Sequence, residues 1–184
     1  MKSFLSTYIE FSDSEYDVFI SKAKLVEYKK KECLISPRKA TEKLFFIKKG
    51  LLRGYRLIDG IEVTHHFFAE KWFATDYESY LTGKPGELHL ETLTDVSVYE
   101  FNKSVLYSFF QDYPTFEKIR GIIAETAYLQ MVNRIKNFQS KDLKKRYDNL
   151  IGENPKLFNL VPQKHIASYL GVAPQSLSRI KGVK

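Results

Sequence analysis

The stretch His165-Ile-Ala-Ser-Tyr-Leu-Gly-Val-Ala-Pro-Gln-Ser-Leu-Ser-Arg-Ile180 decides how this chain is read. It predicts two short helices, Gln163 to Leu170 and Pro174 to Lys181, joined by the turn Gly171, Val172 and Ala173. Ile166 and Leu170 sit one turn apart on the inward face of the first helix, and Ala167 is small where a second helix must cross closely. Val172 fills the turn, and Leu177 and Ile180 form the inward face of the second helix. Pro174 suits a first helical turn, where its missing N–H costs nothing, although Ala173 is a weak N-cap. With the apolar positions turned in, Gln175, Ser176, Ser178, Arg179 and Lys181 turn out. Glutamine can bond adenine bidentately and arginine can bond guanine, so Gln175, Ser176 and Arg179 are the expected base readers of a helix-turn-helix. Lys164, His165, Ser178 and Lys181 are the expected backbone contacts.

Charge placement agrees with that reading. Residues 134–184 hold 11 Lys/Arg against 3 Asp/Glu, while the preceding 133 residues hold 18 against 19. The whole net charge of +7 therefore lies in the last quarter of the chain, which suits a polyanionic partner. Lys144, Lys145 and Arg146 lie on a basic helix from Lys141 to Ile151 that Gly152 should end; they fit phosphate contacts or a solvated face.

Upstream, Phe116, Ile119, Ile123, Ala127, Met131, Ile135 and Phe138 recur at spacings of three and four, with Ile122, Leu129 and Val132 as a second stripe. A long helix from Phe116 to Phe138 follows, apolar over so wide a face that two surfaces must cover it. One can be the preceding domain; the other can be the same helix of a second subunit, or the helix can be buried within the monomer. Pro114 should stop the helix before it, in which Asn102 is the N-cap and Val105, Leu106, Phe109 and Phe110 form one face.

Between about Leu25 and Phe101, short β-branched and aromatic runs alternate with turns: Leu44 to Ile47, Leu51 to Ile58, Ile61 to Phe68, Leu88 to Leu93 and Val96 to Phe101. Asp59-Gly60 is a strong hairpin signal, and the pattern predicts a small antiparallel barrel or jelly roll. Residues Tyr77 to Leu81 read as a short helical turn before the loop at 82–86. At the N-terminus, Ser12 and Glu15 fit a capping box, with Phe11 and Tyr16 as its staple, for a helix from about Asp13 to Ala23.

Composition sets bounds. The chain is 43% hydrophobic and 15% aromatic, enough for a core and against general disorder. No run reaches the roughly 20 apolar residues of a membrane span, and Met1 to Glu10 lacks a secretory pattern. A single cysteine, Cys33, rules out an intrachain disulfide, so a cytoplasmic protein without a membrane partner is expected. Cys33 itself reads as a small buried hydrophobe or a redox-sensing thiol. His65, His66 and His89 lie in strand-like segments, but neighbours on a strand face opposite ways, and no zinc spacing, phosphate loop or nucleophile elbow is present. No cofactor, metal or enzymatic activity is expected. The chain stops two residues past Gly182, which reads as a truncation behind the second helix.

The order of parts resembles the Crp/Fnr family of bacterial transcription regulators. The residues carrying the likeness are Phe45-Phe-Ile-Lys-Lys-Gly50, the span from Trp72 to Phe101, and above all the segment from Gln163 to Ile180. The resemblance implies an α+β chain: an N-terminal antiparallel β-roll (residues 1–114), a long dimerisation helix (115–139) and a C-terminal winged helix-turn-helix (140–184). It also implies a homodimer along the Phe116 to Phe138 helix, a pseudo-palindromic double-stranded DNA site, and a β-hairpin wing before Gln163 with one strand at Leu157 to Val161. In cyclic-nucleotide-binding members a Gly-Glu pair holds the ribose and an Arg-Ser pair the phosphate. Here Ala74-Thr75 and Gly86-Glu87 stand in those places, with Trp72 beside them, so the effector pocket is degenerate and Glu87 should repel a phosphate. Cyclic AMP is therefore not expected to bind, and one cysteine cannot hold an iron–sulfur cluster. An unidentified small-molecule effector and constitutive DNA binding both remain compatible. The rival from another class is a small-molecule-binding or metal-dependent, cupin-like β-barrel whose basic tail is incidental.

Overall fold

The computed structural model describes residues 1–139, 142–153 and 155–182, excepting the side chains of Glu153 and Lys181. Its elements in chain order are α1 (Lys2–Leu5), α2 (Asp13–Ser21), β1 (Ala23–Tyr28), β2 (Cys33–Ile35), β3 (Lys43–Lys49), β4 (Leu52–Ile58), β5 (Ile61–Phe68), β6 (Phe73–Ala74), α3 (Tyr77–Thr82), β7 (His89–Thr92) and β8 (Val96–Asn102). Then follow α4 (Lys103–Asp112), α5 (Pro114–Gln139), α6 (Leu143–Glu153), α7 (Leu157–Leu160), α8 (Gln163–Leu170) and α9 (Pro174–Gly182). They fall into two compact units: Met1–Gly54 with Phe67–Thr126, and Tyr55–His66 with Ala127–Lys184.

The first unit is built on antiparallel strands. One sheet has the order β1-β8-β3-β6; the other has the order β2-β7-β4-β5. β3 shows why an unbroken apolar run makes a central strand. Phe45 and Ile47 enter the roll interior with Leu52, Ala74, Leu90 and Val98, while Leu44 and Phe46 face an outer aromatic layer with Phe73 and Phe101. Period-two alternation thus buries both faces at once. Helices α2 and α4 and the first turns of α5 cover the outer layer through Phe19, Phe109, Phe116 and Ile119. The capping box of α2 forms as the sequence predicts, and Phe11 stacks on Tyr16 at 5.9 Å. Asn102 caps α4, whose Val105 is exposed while Leu106, Phe109 and Phe110 are buried. The helix before Pro114 ends as expected, at Asp112, and Pro114 also starts the next. It occupies the first position of α5, where a missing N–H is harmless.

The second unit contains the outer part of the β4–β5 hairpin, Tyr55–His66, with the rest of α5 and α6 to α9. The hairpin turns at Asp59 and Gly60, both at positive φ (51° and 78°), as an Asp-Gly turn requires. Two expectations fail here. Leu157 to Val161 is not a strand: Leu157–Leu160 is helical, and the Val161 N–H closes the turn on the Leu157 carbonyl at 2.8 Å. Among the described residues no strand follows β8, so no hairpin precedes Gln163. Gly152 does not end the basic helix but lies inside α6. Ser140 and Lys141, where that helix was expected to begin, lie outside the described residues, as does Asn154.

Candidate functional site

Helices α8 and α9 start and turn where the sequence predicts. Gly171 ends α8 in the left-handed region (φ 68°, ψ 36°), and the Val172 N–H bonds back to the Ala167 carbonyl at 3.0 Å. A Cβ at Gly171 would come within 2.6 Å of the Phe138 ring, so glycine is required for space as well as for φ. Ile166, Ala167, Leu170 and Leu177 are buried and hold the two helices together, with Ile180 half-buried. Gln175, Ser178 and Arg179 are exposed, and spacings of three and four put them on one side of α9, away from Leu177. Ser176 is half-buried, and the Ser178 hydroxyl donates to the Pro174 carbonyl at 3.2 Å. Lys164 is exposed. His165 is not on that surface: it is 8% exposed, because the spacing that buries Ile166 and Ala167 carries it inward too. The side chain of Lys181 lies outside the described residues.

Cations of the basic block divide by task. Lys144 pairs with Asp148 at 3.1 Å on the surface, but Arg146 donates to the Leu170 carbonyl at 2.9 Å and so caps the C-terminal end of α8. Arg134 reaches the hairpin, donating to the carbonyls of Thr64 (3.1 Å) and His65, while its guanidinium lies 4.6 Å above the Tyr169 ring. Ser168 on α8 completes the contact. Its hydroxyl accepts from the Thr64 N–H at 2.9 Å and donates to the Glu62 carbonyl at 3.1 Å. The hairpin is thus bonded to α8 through Ser168 and to α5 through Arg134. No sequence signal announces these partners, which are more than 60 residues apart.

In the first unit, the polar side chains of the segment expected to hold an effector bond within the chain. Ala74 is buried in the roll interior, and the Thr75 hydroxyl donates to the Lys43 carbonyl at 2.8 Å. Asp76 caps α3 and is 4% exposed. Its carboxylate accepts from the N–H groups of Ser79 and Leu88, both at 3.3 Å, bridging the helix to the far end of the loop. The Ser79 hydroxyl accepts from the Thr41 N–H at 3.0 Å and donates to the Lys84 carbonyl at 2.6 Å. A Cβ on Gly86 would meet the Asp76 Oδ2 at 2.0 Å, so the loop closes over the carboxylate only because residue 86 has no side chain. Glu87 is exposed, and Trp72 lies against Phe4 (ring centroids 5.3 Å apart) in the outer aromatic layer rather than beside Ala74. An Asp-x-x-Ser pattern before a short helix was the signal for the Asp76 cap.

Cys33 is exposed rather than buried, its thiol donating to the Ile35 carbonyl at 2.9 Å, and partial desolvation of the sulfur with the neighbouring Glu91 charge pushes its pKa up, away from a reactive thiolate. Among the described residues no three His, Cys, Asp or Glu side chains converge as a metal site, and no helix is long and apolar enough to cross a membrane.

Residues 25–113 match the family model of the cyclic nucleotide-binding domain. Among solved structures, the chain is similar to the c-di-GMP-responsive global regulator CLP of Xanthomonas campestris (15% identity, TM-score 0.74, covering 92% of this chain and 89% of that one). It is also similar to FixK2 of Bradyrhizobium japonicum (20% identity, TM-score 0.69, covering 86% and 82%). A putative transcriptional regulator of the Crp/Fnr family from Eubacterium rectale aligns at 17% identity with a TM-score of 0.70, covering 92% and 82%. The chain shares its fold with these structures. No curated protein sequence matches it. The roll carrying Asp76 coincides with the matched domain, and α8 and α9 lie beyond it.

Proposed function

We propose that this protein is a dimeric, sequence-specific DNA-binding transcription regulator of Crp/Fnr type. The observation that carries the reading is α9: Gln175 and Arg179 project from one side of a helix whose other side is locked by Leu177, at the end of a strongly basic block. That is the form of a recognition helix entering a major groove. Gln175, Ser176 and Arg179 read bases; Lys164 and Ser178 serve the backbone. His165, being buried, supports the helix pair instead. Dimerisation runs along α5, where Leu129, Met131, Ile135 and Phe138 are exposed among the described residues; burial within the monomer does not account for them. The protein is not an enzyme in this reading.

The sensor roll does not take cyclic AMP. The family's phosphate-binding arginine is missing, and the Asp76 carboxylate already accepts backbone donors of the loop, where its charge repels a phosphate. Selection of bound sequences from random duplex DNA tests the main proposal: a two-fold-related site should emerge, and Arg179→Ala should relax one base position in each half-site. Unchanged selectivity in that variant refutes the assignment. Calorimetry with cyclic AMP should show no heat of binding, and micromolar affinity would overturn the second claim.

A further inference from the structure

A small cavity in the second unit has no role in this scheme. Arg134 and Phe138 of α5, Arg146 and Leu150 of α6, and Tyr169 and Leu170 of α8 line it. It opens to solvent, and its free volume of about 20 Å³ takes one water-sized occupant. Its walls carry two formal positive charges and, among the described residues, no carboxylate.

Among the described residues the two guanidiniums meet only neutral groups. Arg134 donates to the Thr64 and His65 carbonyls and lies over the rings of Phe138 and Tyr169, at 5.1 and 4.6 Å. Desolvation pulls its pKa down, with Tyr169 opposing, as happens to a cation drawn out of water without a full counter-charge. Arg146 donates one N–H to the Leu170 carbonyl at 2.9 Å, but its Nε is buried and has no acceptor among the described residues. A buried donor on a charged group is costly to leave unmet. The neighbouring acids are engaged elsewhere: Asp148 pairs with Lys144, and Asp142 accepts from the N–H groups of Lys144 and Lys145.

We propose that this cavity binds a single monatomic anion, chloride, which accepts the Arg146 Nε–H while Arg134 supplies the second positive charge. A metal cation would meet like charge there, and a carboxylate or phosphate is several atoms too large for the space. Water would satisfy the Nε–H but leave both charges uncompensated. The site shares no residue with the Asp76 loop or with the outward side of α9, and the inference does not depend on DNA binding. Because its lining comes from α5, α6 and α8, an occupant ties those three helices together and stabilises the second unit by mass action.

The test is chlorine NMR of the intact chain, in which exchange with a protein site broadens the signal of the free ion. The broadening should saturate with chloride and be competed away by bromide. Arg146→Gln should weaken chloride at least about tenfold, the worth of a charge-assisted hydrogen bond. Lys136→Gln makes the same charge change at an exposed position outside the lining and should leave chloride affinity as it was. At fixed ionic strength, replacing sodium gluconate, whose anion is too large to enter, by sodium chloride should raise the melting temperature until it levels off. If Arg146→Gln fails to fold, a bromide-soaked crystal of the unaltered chain decides the matter, with anomalous density expected beside the Arg146 Nε. No saturable broadening, equal chloride affinity in Arg146→Gln and Lys136→Gln, or a crystal with water alone at that place would overturn the proposal.

Discussion

Asp76 and Arg179 are both charged residues on short helices, and they face opposite ways. The carboxylate is 4% exposed and accepts two backbone N–H groups of its own loop. The guanidinium stands on the exposed side of α9, behind which Leu177 is fully buried. Around Asp76 the neighbouring polar groups are likewise turned in: Thr75 to the Lys43 carbonyl, and Ser79 to Thr41 and Lys84. Elsewhere in the roll, Arg53 is 1% exposed and pairs with Glu91 at 2.8 Å. One region spends its polar side chains on holding itself in shape, and the other presents them outward. Residue type alone therefore does not mark a binding site; what the side chain already touches does.

That contrast can be broken most sharply by exchanging readouts. Arg179→Ala should weaken binding to the selected duplex by at least about tenfold, the worth of one bidentate base contact, with no change in melting temperature. Gly171→Val combines strain at positive φ with a clash against Phe138, so it should destabilise the second unit by about 3 kcal/mol or more, read as a lowered melting temperature. Asp76→Ala leaves two buried N–H groups without an acceptor and should cost about 2 kcal/mol while leaving DNA affinity intact. If that variant instead changes DNA affinity alone, the inward role of Asp76 is wrong. Ser168→Ala removes two hydrogen bonds to the hairpin and should cost about 1 kcal/mol.

A separate effect is expected on pH dependence. Burial, with His65 and Arg134 adding, holds the half-buried His66 imidazole down at about 3 against an ordinary 6.5. The unfolded chain therefore binds the proton first as pH falls. His66 contributes stability that is fully present above pH 6.5 and is lost progressively as pH falls towards 3. Melting curves of His66→Gln across that window should have a shallower slope than those of the parent chain.

Much of the fold is legible in the sequence, and the failures have physical reasons. The α8–α9 pair is readable because its apolar spacing, its glycine at positive φ and its proline at a first turn are all local signals. The run at β3 is readable because a central strand buries both faces. The strand expected at Leu157 to Val161 fails because a short apolar run looks alike in helix and strand: a spacing of four puts Leu157 and Val161 on one side in either, and only the backbone bond between them separates the two. Strand β2 is three residues long with a register shift, too short for any periodicity. The candidate site is legible in its outward half, at Gln175 and Arg179, and opaque in its inward half. Asp76 looks like an ordinary helix cap until Leu88 is seen on its other oxygen, and the bond between Thr64 and Ser168 spans 104 positions.

The closure of residue 86 over Asp76 has a further consequence. A carboxylate supplied by the chain itself is a tethered ligand, present at an effective molarity that no diffusible metabolite matches. Raising the concentration of a competing anion is therefore a poor way to open this loop. A nucleotide-responsive descendant would have to lose the tether first, and only then acquire a cation to greet the newcomer.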